Sequence, residues 1–203
     1  MRAALVLAAL LLGPVLGAGA EATPRLDLDT TVDADGAYRS VGRMVLPFPV
    51  EQVARVMTDF DHYDAWAPRG QDGKDPGSAG YIGQLIGVRA GTGTLDLIYR
   101  INLLWPFGSS GKSITLATEV PPGPAGKTSV KFTLKKPSFV TPICEGVFSL
   151  SETGPGQSQI QLDCRMKLAW FLMPFFPLEA YKVHVAKRLE TAMRSFAADL
   201  SSP

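Results

Sequence analysis

The sequence predicts one α+β domain in which a curved antiparallel sheet covers a single long C-terminal helix. Three observations carry that expectation. Between Leu95 and Leu168, apolar and polar residues alternate in runs broken by Gly- and Pro-rich turns, the mark of strands with one buried face. From Leu178 onward the apolar period changes to steps of three and four, the mark of a helix with one apolar stripe. The chain has 203 residues, 46% hydrophobic and 19% charged, with 20 glycines and 16 prolines. That length supports one core. The balance excludes a disordered tail and a nucleic-acid binder driven by bulk positive charge.

The elements follow in chain order. Arg2, the apolar run Ala3 to Leu16 and the small-x-small triplet Ala18-Gly19-Ala20 read as a secretory signal peptide over residues 1–20. The run is shorter than the ~20 residues of a bilayer span and contains Gly13-Pro14. Export is expected, periplasmic or secreted, with cleavage near Ala20. Residues 21–36 are polar and acidic and read as a lead-in arm; residues 37–203 form the domain. Ala37 to Phe48 reads as a strand. Pro49 opens a helix with Val53, Val56, Met57 and Phe60 at helical spacing. Asp59 or Asp61 caps a second short helix running through Trp66, and Pro68 stops it. A loop rich in Gly, Asp, Lys and Pro covers Arg69 to Gly80.

Leu95, Leu97, Tyr99, Ile101, Leu103 and Trp105 then mark the odd positions of one strand. Ile114, Leu116 and Val120 mark the next, and Val130, Phe132 and Leu134 another. Phe148 with Leu150, and Ile160 with Leu162, Met166 and Leu168, complete the series. Turns fall near Gly108–Gly111, Pro121–Gly126 and Thr153–Gln157. The last helix carries Tyr181, Val185, Leu189, Ala192, Phe196 and Leu200 on one stripe over about six turns. It is the element long and apolar enough to cover the sheet.

Two segments add a resemblance. Pro47-Phe48-Pro49-Val50-Glu51-Gln52-Val53, and the run Asp59-Phe60-Asp61-His62-Tyr63-Asp64-Ala65-Trp66-Ala67-Pro68, together with the element order, resemble the START-like or SRPBCC superfamily, in its polyketide-cyclase and coenzyme-Q-binding branch. The resemblance spans Tyr38 to Leu200. It implies a helix-grip fold, with a seven-stranded sheet wrapped around the last helix and a deep apolar cavity between them. The superfamily includes lipid carriers, cyclases, hormone receptors and oxygenase subunits, so fold alone does not settle activity.

Catalytic chemistry finds little support in the residues. There are two histidines, too few for a multi-histidine metal site, and the Rieske-oxygenase metal pattern is not evident. His62 stands among Asp59, Asp61 and Asp64, which read as helix caps and first-turn acids rather than as metal ligands. His184 borders the apolar stripe of the last helix. Nucleophile-elbow, zinc-protease and phosphate-loop motifs are missing from the sequence, and Gly91-Thr92-Gly93 reads as a turn. No metal and no cofactor is expected.

Two cysteines remain. With a hairpin centred near residue 154, Cys144 would face Cys164, Phe148 would face Ile160 and Gly146 would face Leu162. Directly opposed residues lie close enough for a disulfide once strand twist closes the gap. The alternative is two buried thiols acting as small hydrophobes.

The expected function is an exported carrier that holds a lipid or other hydrophobic small molecule between sheet and helix. The expected wall is Trp66, Tyr81, Leu97, Tyr99 and Ile101 from the first half. From the second half it takes Leu116, Phe132, Phe148, Leu162 and Met166, with Tyr181, Val185 and Leu189 from the helix. Tyr99 and Tyr181 can orient a ligand's polar end, since a buried tyrosine hydroxyl needs a partner. Trp105 and Phe107 at one hairpin tip, and Trp170, Phe171, Phe175 and Phe176 before the last helix, are apolar where loops are normally polar. They read as a cavity entrance in peripheral contact with an anionic membrane, flanked by Arg165, Lys167, Lys182, Lys187 and Arg188. The charge split agrees: residues 21–75 carry 11 acids and 6 bases, residues 76–203 carry 8 and 13. Two other readings stay open. One is a cyclase or aromatase with Tyr99, Tyr181 or His184 as its acid–base group. The other is a protein-interaction module whose cavity is filled by its own side chains.

Overall fold

The computed structural model describes residues 25–71, 83–102, 109–137, 141–171, 173–175 and 177–201. The expected signal peptide, Tyr81, Trp105, Phe107 and Phe176 lie outside them. Eight strands run in chain order: β1 (Asp27–Val32), β2 (Tyr38–Leu46), β3 (Gly83–Gly91), β4 (Thr94–Asn102), β5 (Ser109–Glu119), β6 (Lys127–Leu134), β7 (Ile143–Gly154) and β8 (Gln157–Lys167). Helices α1 (Val50–Thr58) and α2 (Tyr63–Trp66) join β2 to β3, and α3 (Leu178–Leu200) ends the domain. The sheet is antiparallel throughout, in the order β1-β2-β8-β7-β6-β5-β4-β3.

This is the expected architecture, with eight strands where the resemblance implies seven; the two edge strands are the ones the residue pattern did not mark. Residues 27–32, taken as arm, pair with β2 from Asp27↔Arg43 to Val32↔Tyr38. Residues 83–91 pair with β4 and carry a bulge between Leu85 and Gly87. The aspartates behave differently from expectation as well. No side-chain cap bond forms at Asp59 or His62. Asp64 instead accepts the Val88 amide at 2.8 Å, tying α2 to β3.

Strand β2 alternates strictly, with Tyr38, Ser40, Gly42, Met44 and Leu46 buried and the residues between them exposed. Its buried face meets Val50, Val53 and Met57 of α1, Trp66 of α2, and Met193, Phe196, Ala197 and Leu200 of α3 in one apolar cluster. Ring contacts lock it: Trp66 meets Phe196 edge-on at 5.2 Å and Tyr63 at 4.7 Å. Gln52 donates to the Leu200 carbonyl at 2.8 Å, closing the last turn of α3 onto α1. Helix α3 thus packs closest to α1, α2 and β1.

Candidate functional site

The interior between sheet and helix divides along α3. Met193, Phe196, Ala197 and Leu200 are buried, whereas Val185, Leu189 and Ala192 on the same stripe are partly exposed. The facing sheet repeats the division. Leu150 and Ile160 near the β7–β8 turn are buried; Cys144, Phe148, Cys164 and Met166 toward the other end are partly open. Leu97, Tyr99 and Ile114 across the sheet are partly open as well.

The expected wall residues sort by this division. Tyr99, Phe132, Met166, Val185 and Leu189 are partly open, as are Leu97 and Phe148, which also pack against the apolar cluster. Trp66 belongs to the packed apolar cluster. Leu116, Leu162 and Tyr181 are buried at 4%, 4% and 5% exposure. Ile101 is placed in β4 and Phe175 in the turn before α3, but their side chains lie outside the description.

Polar groups gather in the open half. The Tyr181 ring stacks on Tyr38, centroids 3.9 Å apart and planes 13° apart. Burial first, then Cys164, Cys144, Tyr38 and Tyr99, hold the Tyr181 hydroxyl well above the ordinary phenol range. Burial does the same to Tyr99, with Cys144 adding to it and Arg188 opposing it. Ser40 shares a 2.9 Å hydroxyl–hydroxyl bond with Thr30.

The hairpin register corrects the expected disulfide geometry. Cys144 pairs with Met166, Cys164 with Gly146 and Phe148 with Leu162, two residues away from the expected pairing. The turn is Pro155-Gly156, with Gly156 at φ +69° and an irregularity between Glu152 and Gly154. A shift of two keeps both cysteines on the inner face but makes them diagonal neighbours, about 7–8 Å apart in a typical ladder. Both thiols are free in this structure. Burial, then Glu145, pushes Cys144 up to about 11; burial, then Cys144, pushes Cys164 up to about 12. Glycine opposite Cys164 has a reason: a Cβ at Gly146 would stand 2.5 Å from the Phe132 ring and 2.8 Å from the Cys164 Cβ.

At the β8–α3 connection, Trp170 is 84% exposed and Val183 58%, and Phe171 meets Trp170 edge-on at 6.0 Å. The flanking bases are less available than the sequence suggests. Arg165 donates to Asp33 at 2.9 Å, to Glu145 at 3.2 Å and to Asp35. Lys182 lies 3.5 Å from Glu179. Arg188 is partly buried and donates to the Gln71 backbone and side-chain oxygens, while Gln71 donates back to the Arg188 carbonyl at 3.1 Å. A pairing 117 residues apart in the chain leaves no periodic trace for sequence reading to find.

On the opposite, outer face lies a groove of about 600 Å³ lined by Asp27, Asp29, Val41, Arg43, Gln161 and Asp163, among others. Its lining mixes these polar groups with apolar surface from Val41, Val147 and Leu162. Among the described residues no cluster of His, Cys, Asp or Glu has the makings of a metal site, and no helix is long and apolar enough to cross a membrane.

A long helix gripped by a curved antiparallel sheet, with two small helices inserted after the β2 strand, is the START-like helix-grip fold. Solved structures place it there. A START superfamily protein from Mycobacterium smegmatis superposes with a TM-score of 0.56 at 15% identity, covering 80% of this chain and 96% of that one. A STAR-related lipid transfer protein from Xanthomonas axonopodis gives 0.51 at 13%, covering 86% and 99%. Human STARD10 gives 0.50 at 11%, covering 85% and 73%. No protein-family model matches the sequence, and no curated protein matches it.

Proposed function

We propose that this protein is an exported carrier that takes up a lipid or other hydrophobic small molecule between the first half of α3 and the inner faces of β4 to β8. The observation that carries this reading is the partial exposure of apolar residues on both walls, Val185 and Leu189 on one and Leu97, Phe148 and Met166 on the other. A ligand that covers them gains roughly 25 cal/mol for each Å² of apolar surface removed from water. The fold shared with a STAR-related lipid transfer protein supports the same reading. Residues 1–20 act as the export signal, and Trp170 with Phe171 meets an anionic membrane where ligand enters or leaves, with apolar insertion outweighing charge because Arg165 is held by three carboxylates.

The test is mass spectrometry on protein purified from an exported preparation, intact under native conditions and again after organic extraction. The expected result is one lipid-sized or quinone-sized molecule per chain, on a chain that begins near Glu21. A folded chain that is empty, and stays empty when offered extracted lipids, would sink the carrier reading.

A further inference from the structure

We propose that Cys144, Cys164 and Met166 form a binding site for a soft monovalent metal ion, copper(I), on the inner face of the β7–β8 hairpin. The proposal stands independently of the carrier reading.

The ladder fixes the juxtaposition. Cys144 stands directly opposite Met166, and Cys164 directly opposite Gly146. Cys144 and Gly146 are alternate residues of β7, and Cys164 and Met166 are alternate residues of β8, so all four belong to one side of the sheet. Tyr38 identifies that side. It pairs with Met166 across β2 and β8, and its ring stacks on Tyr181 of α3. Three corners of a four-residue square on the face toward α3 therefore carry sulfur. They hold the chain's two cysteines and one of its six methionines. The fourth corner admits no side-chain donor: a Cβ at Gly146 would stand 2.5 Å from the Phe132 ring.

The spacing suits a metal better than a disulfide. A disulfide needs Cβ atoms about 3.5–4.5 Å apart, and diagonal neighbours in a ladder stand wider than that. A metal between the sulfurs spans more. Two metal–sulfur bonds of about 2.3 Å let the sulfurs lie up to about 4.6 Å apart, against about 2 Å in a disulfide. Thiolate and thioether donors select copper(I), which two or three sulfurs satisfy. Structural zinc takes four ligands, and among the described residues no group of His, Cys, Asp and Glu supplies even three. Ser40, across from Cys164 in β2, favours the Cys164 thiolate through backbone and side-chain hydrogen bonds. Burial keeps both thiols protonated in the metal-free chain. Binding breaks the two S–H bonds, forms two Cu–S bonds and releases two protons to water. Met166 adds a neutral lone pair, and no oxidation state changes.

Anaerobic titration with copper(I) held by the coloured chelator bicinchoninate tests this. The wild type should draw one copper per chain from the chelator. Cys144→Ala and Cys164→Ala should each draw none, with far-ultraviolet circular dichroism matching the wild type to show that they are folded. Met166→Leu conserves side-chain volume, so the fold survives, and it should hold its copper more weakly. X-ray absorption at the copper edge should find sulfur neighbours alone, three in the wild type and two in Met166→Leu. A wild type that leaves the copper on the chelator overturns the proposal. So does uptake that persists when both cysteines are alanine, and so do nitrogen or oxygen neighbours at the edge. A chain found empty of lipid leaves every one of these readings unchanged, so the two proposals fail separately.

Discussion

Leu200 and Leu189 lie on one stripe of the same helix, yet Leu200 is 3% exposed and Leu189 keeps part of its surface open. Around Leu200, α1, α2 and the β2 side of the sheet close on α3 from three directions, and the Gln52 bond pins the final turn. Around Leu189 the neighbours are strands whose inward side chains are themselves partly open. The same residue type therefore does two jobs. At one end it supplies folding free energy; at the other it stands ready to supply binding free energy.

The sharpest way to break this comparison is to truncate both leucines. Leu200→Ala should cost about 2–5 kcal/mol, the range for fully buried leucines, whereas Leu189→Ala should cost less, because part of its surface is already open. Urea unfolding of both variants measures the difference, and equal losses would erase the distinction between the two halves.

Adding bulk gives the next largest effect. Ala197→Phe overpacks the closed end and should destabilise by about 1–3 kcal/mol. Val185→Phe should leave the unfolding midpoint near the wild type and weaken binding of the uncharged dye Nile red, because it fills space that a ligand would use.

Thiol chemistry sharpens the picture of the open half. The Cys144 value rises from 9.0 to about 11. At pH 8 its thiolate is therefore scarcer than in the unfolded chain by about a hundredfold, and disulfide-reagent labelling should slow in proportion. The linkage has a definite sign. A group whose folded value is raised stabilises the fold fully below the unfolded value, and that contribution drains away as pH rises. Stability should therefore fall between pH 9 and about 11. A labelling rate equal to that of the unfolded chain would show that the thiols are not desolvated.

The smallest effect lies on the outer face. The Ala37 amide and then Arg165 hold Asp35 below the usual carboxylate value of 3.8. That contribution is present above 3.8 and is lost as pH falls through the lower folded value. Below pH 3.8 the Asp33–Ala37 turn should loosen, seen as reduced hydrogen-exchange protection of the Ala37 amide, while protection at Phe196 stays unchanged.

Much of this was legible in the residues. The α3 stripe, the β4 to β8 alternation and the Pro49-opened helix appear where periodicity places them, because each buries one face along its length. The two strands that escaped, β1 and β3, are the two edges of the sheet. Edge strands bury less and carry charges or bulges that discourage pairing with other chains. Here Asp27 and Asp29 break the pattern in β1, and Gly83, Gly87 and Gly91 with a bulge break it in β3. In the site, alternation along the strands carries no sign of which inward residues are sealed and which stay partly open. That division depends on how far α3 stands from each strand, a distance set by α1 and α2. The cysteine pairing failed for a local reason: the turn is Pro155-Gly156 rather than centred on residue 154, which moves each partner by three, and the irregularity between Glu152 and Gly154 takes one of those back, leaving two.

Strands β2 and β8 are neighbours from Tyr38↔Met166 to Leu46↔Ser158, and this fixes when the domain can first exist. As the chain is synthesised, β2 waits for a partner more than a hundred residues downstream, and β7 waits with it. Until β8 arrives, the growing chain holds two open hydrogen-bonding edges and an apolar face with no helix to cover it, the kind of surface on which chains stick to one another. Closing so long a loop is also slow. The last strand and the last helix therefore act as a release that withholds the fold until the whole sequence has been made.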